Sequence, residues 1–245
     1  MLGMRLGLGI RIGAQTPAAP APPPGNSLLT NLVAYWKLDE TSGTRADSTA
    51  SGIDLADNNS VGYATGKIEN AADFVAASSQ YLSHADHADL SIVDELTISV
   101  WCKFASLGAT DQVICSKYEA AGGKLEWILK YDQASGKLLI YTGESGTTCY
   151  SASTVTTGTW YHVVVRVKNG TSVSLCVNGS ANINSDVAGT TTPGTAQFFI
   201  GRIGGYSQYM NGLVDEVGIW TRLLTDGDVD ALYASGNGLS YSSFQ

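Results

Sequence analysis

Apolar and polar positions alternate along much of this chain with the two-residue period of a β-strand. The run LTISVWCKF, 96–104, sets Leu96, Ile98, Val100, Cys102 and Phe104 on one side and Thr97, Ser99, Trp101 and Lys103 on the other. WYHVVVRV, 160–167, is rich in β-branched residues, Asn169-Gly170 makes a hairpin-type turn into SVSLCV, and Asn178-Gly179 closes that strand. LVAYWKL, QVICSK, KLEWILKYD, KLLIYTG, QFFIGRI and GLVDEVGIW predict further strands. A helical period occurs over TDGDVDALYA, 225–234, where Thr225 caps, Asp226 and Asp228 suit the positive end, and Val229, Leu232 and Tyr233 share a face before Gly236. The pattern predicts an all-β antiparallel sandwich with one short C-terminal helix covering its edge.

The first thirteen residues, MLGMRLGLGIRIG, alternate most strictly: Leu6, Leu8, Ile10 and Ile12 project to one side, and the other side is glycine and arginine. A signal peptide needs an unbroken apolar run of about 7–15 residues. Glycine at almost every second position and Arg11 break that run here, so the segment is expected to stay on the mature chain. Five of the six prolines follow within 14–27, a composition that favours extended polyproline II and spans roughly 30–40 Å. The organisation read from this is an anchoring arm (1–13), a proline-rich linker (14–27) and a sandwich head (28–245). Half made of glycine, the arm allows a partner backbone to approach closely and suits strand addition to an exposed sheet edge.

Composition sharpens this picture. Charged residues are 15% of the 245 and the formal net charge is −8, which excludes the chain as a whole from binding nucleic acid. Residues 1–36 hold Arg5 and Arg11 and no acid, so the rest carries 12 basic against 22 acidic residues. No apolar run reaches the length of a membrane span, so no membrane insertion is expected. Cys102, Cys115, Cys149 and Cys176 lack metal-ligand spacing; free buried thiols and two disulfides both remain open.

Over residues 28–238 the chain resembles the laminin-G-like, concanavalin-A-like jelly-roll superfamily. LVAYWKLDETSGTRADSTASG, LTISVWCKF, the pair TGTWYHVVV and VSLCVNG, and FFIGRIGG followed by MNGLVDEVGIWTRLLTDGDVDALY carry the resemblance. It implies a two-sheet jelly roll and leaves the ligand open, because the fold hosts lectins, glycosidases, adhesion modules and structural domains. Glucanases of the superfamily carry paired carboxylates as E-x-D-x-x-E; this chain has no such run, and Asp215-Glu216, adjacent on a strand, are expected to face opposite sides. The head is therefore read as non-catalytic. Pentraxins, also similar, hold calcium in the loop that here reads RIGGYSQYMNG, which has no carboxylate. Wider relatives hold a single calcium ion near the N-terminal segment, and by that resemblance Asp39, Asp47 and Asp215 are its candidate ligands, or else turn-shaping residues.

Tyr206 and Tyr209, in a polar glycine-containing loop, and Tyr118 and Trp127 are the candidates for stacking on sugar rings, with core packing the competing role for Trp127. His84 and His87 have metal-like spacing without a third ligand nearby in sequence. By organisation, arm plus stalk plus laminin-G-like head is similar to accessory proteins of tailed-phage virions. That resemblance implies a decoration or adhesion protein of a multi-subunit virion, assembled in the host cytoplasm, whose arm docks on capsid or tail and whose head meets a host-surface glycan or neighbouring subunits. The alternative is a secreted or cell-surface bacterial carbohydrate-binding module, located outside the cell.

Overall fold

The computed structural model describes residues 27–245, apart from 92, 120–123 and 144–145. The arm positions Leu6, Leu8, Ile10 and Ile12 and nearly all of the linker lie outside the described residues. In chain order the strands are β1 (Leu32–Trp36), β2 (Ala56–Asn58), β3 (Gly62–Thr65), β4 (Asn70–Phe74), β5 (Tyr81–His84), β6 (Glu95–Phe104), β7 (Gln112–Glu119) and β8 (Lys124–Asp132). They continue as β9 (Lys137–Thr142), β10 (Thr147–Thr154), β11 (Trp160–Lys168), β12 (Ser172–Val177), β13 (Ile183–Asp186), β14 (Phe198–Ile200) and β15 (Gly212–Trp220), followed by helix α1 (Asp226–Tyr233).

Two antiparallel sheets face one another, as expected of a jelly roll. The eight-stranded sheet runs β13-β12-β11-β6-β15-β4-β3 with β1 also on β15, and the seven-stranded sheet runs β10-β9-β8-β7-β14-β5-β2. The inward positions of β6 are those its alternation predicts: Leu96, Ile98, Val100, Cys102 and Phe104 all join the central core. Trp36 stacks on Phe198 at 5.0 Å, and Trp127 meets Phe198 at 5.9 Å, filling the space between the sheets. All four cysteines are free and buried.

The helix begins where predicted and covers a different surface. Thr225 and Asp228 form a reciprocal capping box, and Arg222 Nη1 holds Asp228 Oδ2 at 2.9 Å. Val229 and Leu232 pack with Val164, Cys176, Trp220 and Phe244, so α1 and the C-terminal segment lie on the outer face of the eight-stranded sheet, not on the sandwich edge. Tyr233 stacks over Trp101 and His162 there. This cover buries the nominally polar face of β6, including Thr97 and Ser99. Among the described residues no helix covers the outer face of the seven-stranded sheet, which is crossed instead by the 201–211 segment.

Candidate functional site

The 201–211 segment lies flat on the seven-stranded sheet because glycine permits it. Gly201 has φ +89°, and a Cβ there would stand 2.7 Å from the Phe74 ring. Gly204 donates its N–H to Tyr118 O at 3.2 Å, so close that a Cβ would meet that same oxygen at 3.0 Å. Met210 N donates back to Gly201 O at 2.8 Å, and Arg202 pairs with Tyr209, closing the segment into a ridge. From it Ile203 reaches down to Val113 and Ile128 in a small apolar cluster outside the main core.

Beside the ridge runs a groove of about 190 Å³ lined by Tyr118, Ile128, Lys130, Tyr141, Ile203, Tyr206 and Gln208. Tyr118 and Tyr141 meet edge to face at 5.8 Å, while Tyr206 is 47% exposed. Burial and then the neighbouring Tyr141 push the Tyr118 phenol above its ordinary value, so it stays a neutral donor. Lys130 Nζ is held by Asp111 Oδ2 at 2.5 Å, which neutralises the ammonium. Aromatic faces with phenol, amide and ammonium groups around them suit a ligand with one apolar face and hydroxyl edges, which is the chemistry of a sugar ring. A wider depression of about 740 Å³ lies around 41–43 and 57–63, but among the described residues that line it Tyr63 alone carries a ring. Its polar groups are also committed: Asp57 Oδ1 accepts from Val61 N and Asn59 Nδ2 donates to Ser79 O.

Of the four residues expected to contact a sugar, Tyr118 and Tyr206 line this groove. Tyr209 lies across the ridge, its ring centroid 5.6 Å from the Arg202 guanidinium, which also covers Tyr81 at 4.5 Å and Phe199 at 5.1 Å. Trp127 is corrected by the structure: it is buried between the sheets and donates Nε1 to Leu90 O, so no ligand reaches its face. Tyr141, Lys130, Gln208 and Arg202 are not singled out by the sequence pattern. Tyr141 carried a signal, since its alternation with Ile140 in KLLIYT faces it away from the core.

Each of the three calcium candidates has hydrogen-bond partners within the protein. Asp47 spends both oxygens on Tyr35 N, Thr49 N, Thr49 Oγ1 and Ile53 N, as a turn-shaping aspartate does. Asp39 accepts from Asn70 N and pairs with Lys37 at 3.1 Å. Asp215 Oδ2 accepts from Lys67 N and Ile68 N, leaving Oδ1 buried without a partner. Among the described residues no three His, Cys, Asp or Glu side chains are placed to hold a metal ion. His84 and His87 approach to 6.1 Å, with His84 Nδ1 on Ala85 O and His87 Nδ1 accepting from Asp89 N.

Asp215 and Glu216 correct a second expectation, that they face opposite sides. A bulge between Asp215 and Gly218, with Glu216 at φ +49°, breaks the alternation. Asp215 lies opposite Trp101 and Glu216 accepts from the Tyr35 hydroxyl; both partners belong to the outer face under α1 and the C-terminal segment. Burial is the main reason that the Asp215 carboxyl is pushed up to about 7 and that of Glu216 to about 8. The two are 0% and 3% exposed.

The fold is shared with solved structures at low identity. The binding domain of Paraclostridial Mosquitocidal Protein 1 matches with a TM-score of 0.69 and 15% identity over 84% of this chain and 52% of that one. The chain thus spans about half the length of that toxin domain. Domain 4 of AbnA, a GH43 extracellular arabinanase from Geobacillus stearothermophilus in complex with arabinotriose, matches with 0.64 and 21% over 85% of this chain and 98% of that one. Trypanosoma rangeli sialidase matches with 0.66 and 18% over 92% of this chain and 37% of that one. No curated protein is detectably similar in sequence. A family model described as the concanavalin A-like lectin/glucanases superfamily matches residues 76–230, from before β5 into α1 and across the whole ridge and groove, and the chain belongs to that superfamily.

Proposed function

We propose that the head is a non-catalytic, glycan-binding recognition module that takes its ligand in the tyrosine groove. The observation that carries this reading is the set of Tyr118, Tyr141 and Tyr206 around one exposed concavity on the sheet face that no helix covers among the described residues. Solved structures sharing the fold include an arabinanase domain in complex with arabinotriose and receptor-binding domains of botulinum neurotoxin, which supports binding as the work of this fold. The adjacent acids Asp215 and Glu216 are buried, so that pair has no access to a glycosidic bond. On a glycan array the full chain is expected to retain a defined set of sugars, and Tyr206→Ala and Tyr118→Ala are each expected to weaken binding about five- to tenfold, roughly 1 kcal/mol. Unchanged affinity in both variants would remove the groove from consideration.

Residues 1–13 serve in this proposal as the anchor that fixes the head in a larger assembly, a virion being the form favoured by the arm, stalk and head organisation. The alternation of Leu6, Leu8, Ile10 and Ile12 against glycine supports it. In the full chain Leu8→Asp is expected to abolish incorporation, because a buried leucine contributes about 1.5–3 kcal/mol and a buried aspartate is penalised. Normal incorporation of that variant, or cleavage of the arm from exported protein, favours a secreted or cell-surface carbohydrate-binding module instead.

A further inference from the structure

We infer that Arg202 forms a carboxylate-binding subsite beside the tyrosine groove, and that the glycan taken there carries a carboxylated sugar, a uronic or a sialic acid; this rests on the groove being the glycan site. The guanidinium is built into the sheet face, lying over the rings of Tyr81, Phe199 and Tyr209 at 4.5, 5.1 and 5.6 Å. Its Nε donates to Ile203 O at 3.2 Å, which fixes the plane of the group. Nη1 and Nη2 find no acceptor among the described residues, and the side chain is half-buried, so the fork is held in place and open.

The other arginines of the sandwich show the contrast. Arg166 Nη1 pairs with Asp226 at 2.8 Å and Arg222 Nη1 with Asp228 at 2.9 Å, while Arg45 is buried on the carbonyls of Gly43 and Val61. Lys130, the cation that lines the groove, is already neutralised by Asp111. Among the described residues Arg202 is thus a cation of this face whose outer N–H groups are left for a ligand. A planar, always charged fork immobilised on aromatic rings matches a carboxylate with two parallel hydrogen bonds, and pre-stacking lowers the entropy lost on binding.

Position links this fork to the groove. Ile203 and Gln208 line the groove, and their chain neighbours Arg202 and Tyr209 lie on the other side of the ridge, over β14 and β5. Groove residues of β8 and Phe199 of β14 are two strand spacings apart, about 10 Å, so one oligosaccharide reaches both. With a net charge of −8 the chain gives an anion no long-range attraction, so selectivity for an acid has to come from such a local contact.

The test uses the full chain and matched probes: polygalacturonate against its fully methyl-esterified form, and sialyllactose against lactose, with affinities read by calorimetry. The acidic member of at least one pair is expected to bind about tenfold tighter. Arg202→Lys, which keeps the charge and stem but loses the fork, is expected to cut that preference to less than about threefold at unchanged melting temperature. Tyr206→Ala is expected to weaken both members alike. Equal binding of acidic and neutral members, or full preference retained by Arg202→Lys, overturns the carboxylate subsite while sensitivity to Tyr206→Ala leaves the groove standing. If wild type binds neither member of either pair, the carboxylate subsite falls, and the glycan array with Tyr118→Ala and Tyr206→Ala decides the groove separately.

Discussion

Replacing Lys117 with methionine is expected to lower the unfolding free energy by about 3–5 kcal/mol, among the largest effects a single substitution has in this sandwich. The Lys117 ammonium is fully buried, 2.6 Å from Glu126 Oε1 and 2.7 Å from Asp86 Oδ1, with Gly194 O at 3.5 Å. Glu126 is as deeply buried and its Oε1 also accepts from Gly194 N at 3.0 Å and from Ser91 Oγ at 3.3 Å. Three segments distant in sequence, around 86–91, 117–126 and 194, are therefore tied together by one buried pair. Taking away the ammonium leaves the Glu126 charge in a low-dielectric site without its counter-charge, a cost set by desolvation and not by the worth of the pair. Lys117→Met combined with Glu126→Leu removes both charges and is expected to recover most of the loss. Urea unfolding followed by tryptophan fluorescence measures all three at constant slope. A Lys117→Met variant within about 1 kcal/mol of wild type would show that the pair is solvated.

The second large effect is on pH. Stability is expected to fall by several kcal/mol as pH rises from about 4 to 8, because of Asp215 and Glu216. Their ordinary values are 3.8 and 4.5, and burial raises them in the folded protein to about 7 and about 8. Between the two sets the native protein holds protons that the unfolded chain has released, so raising pH penalises the native state. Each tenfold difference in acidity between the folded and unfolded states corresponds to about 1.4 kcal/mol. The contribution is complete below about pH 4 and gone above about pH 8. Asp39 adds to burial at both groups and the Asp215 charge adds to it at Glu216, while the Ile68, Lys67 and Glu216 amides oppose it at Asp215 and the Tyr35 hydroxyl and Lys37 oppose it at Glu216. His162 acts in the opposite sense at lower pH: burial holds its imidazole down to about 3, so stability is lost as pH falls below its ordinary 6.5. Asp215→Asn and Glu216→Gln keep the hydrogen-bonding shape without the charge and, combined, are expected to flatten the alkaline fall. Melting temperatures across that range in wild type and the double variant decide it, and an unchanged fall assigns the pH dependence elsewhere.

Whatever depends on neighbours a few residues away is written along the chain. A two-residue period is enough to place Leu96, Ile98, Val100, Cys102 and Phe104 in the core, and Thr225 with Asp228 is enough to start α1, because both signals act within one strand or one turn. Strands β1, β6 to β9, β11, β12, β14 and β15 were legible for that reason. Strands β2 to β5, β10 and β13 were not, since ADN or NAADF has little β-branched or aromatic pattern and TTCYSAST lacks the large aliphatic residues of a core-facing row, and they are extended because a neighbour pairs with them. Packing between distant segments settled which outer face α1 covers, and therefore that Trp101 and His162 are buried while Tyr118, Tyr141 and Tyr206 line an open groove. It also settled that Trp127 faces the core and that a left-handed Glu216 turns two adjacent acids to one side. Arg202 is the extreme case: its rings come from residues 81, 199 and 209, and no local pattern records a contact between strands that meet only when the sheet closes. Periodicity sets direction within a strand, whereas a binding site is made where strands far apart in sequence present their faces together.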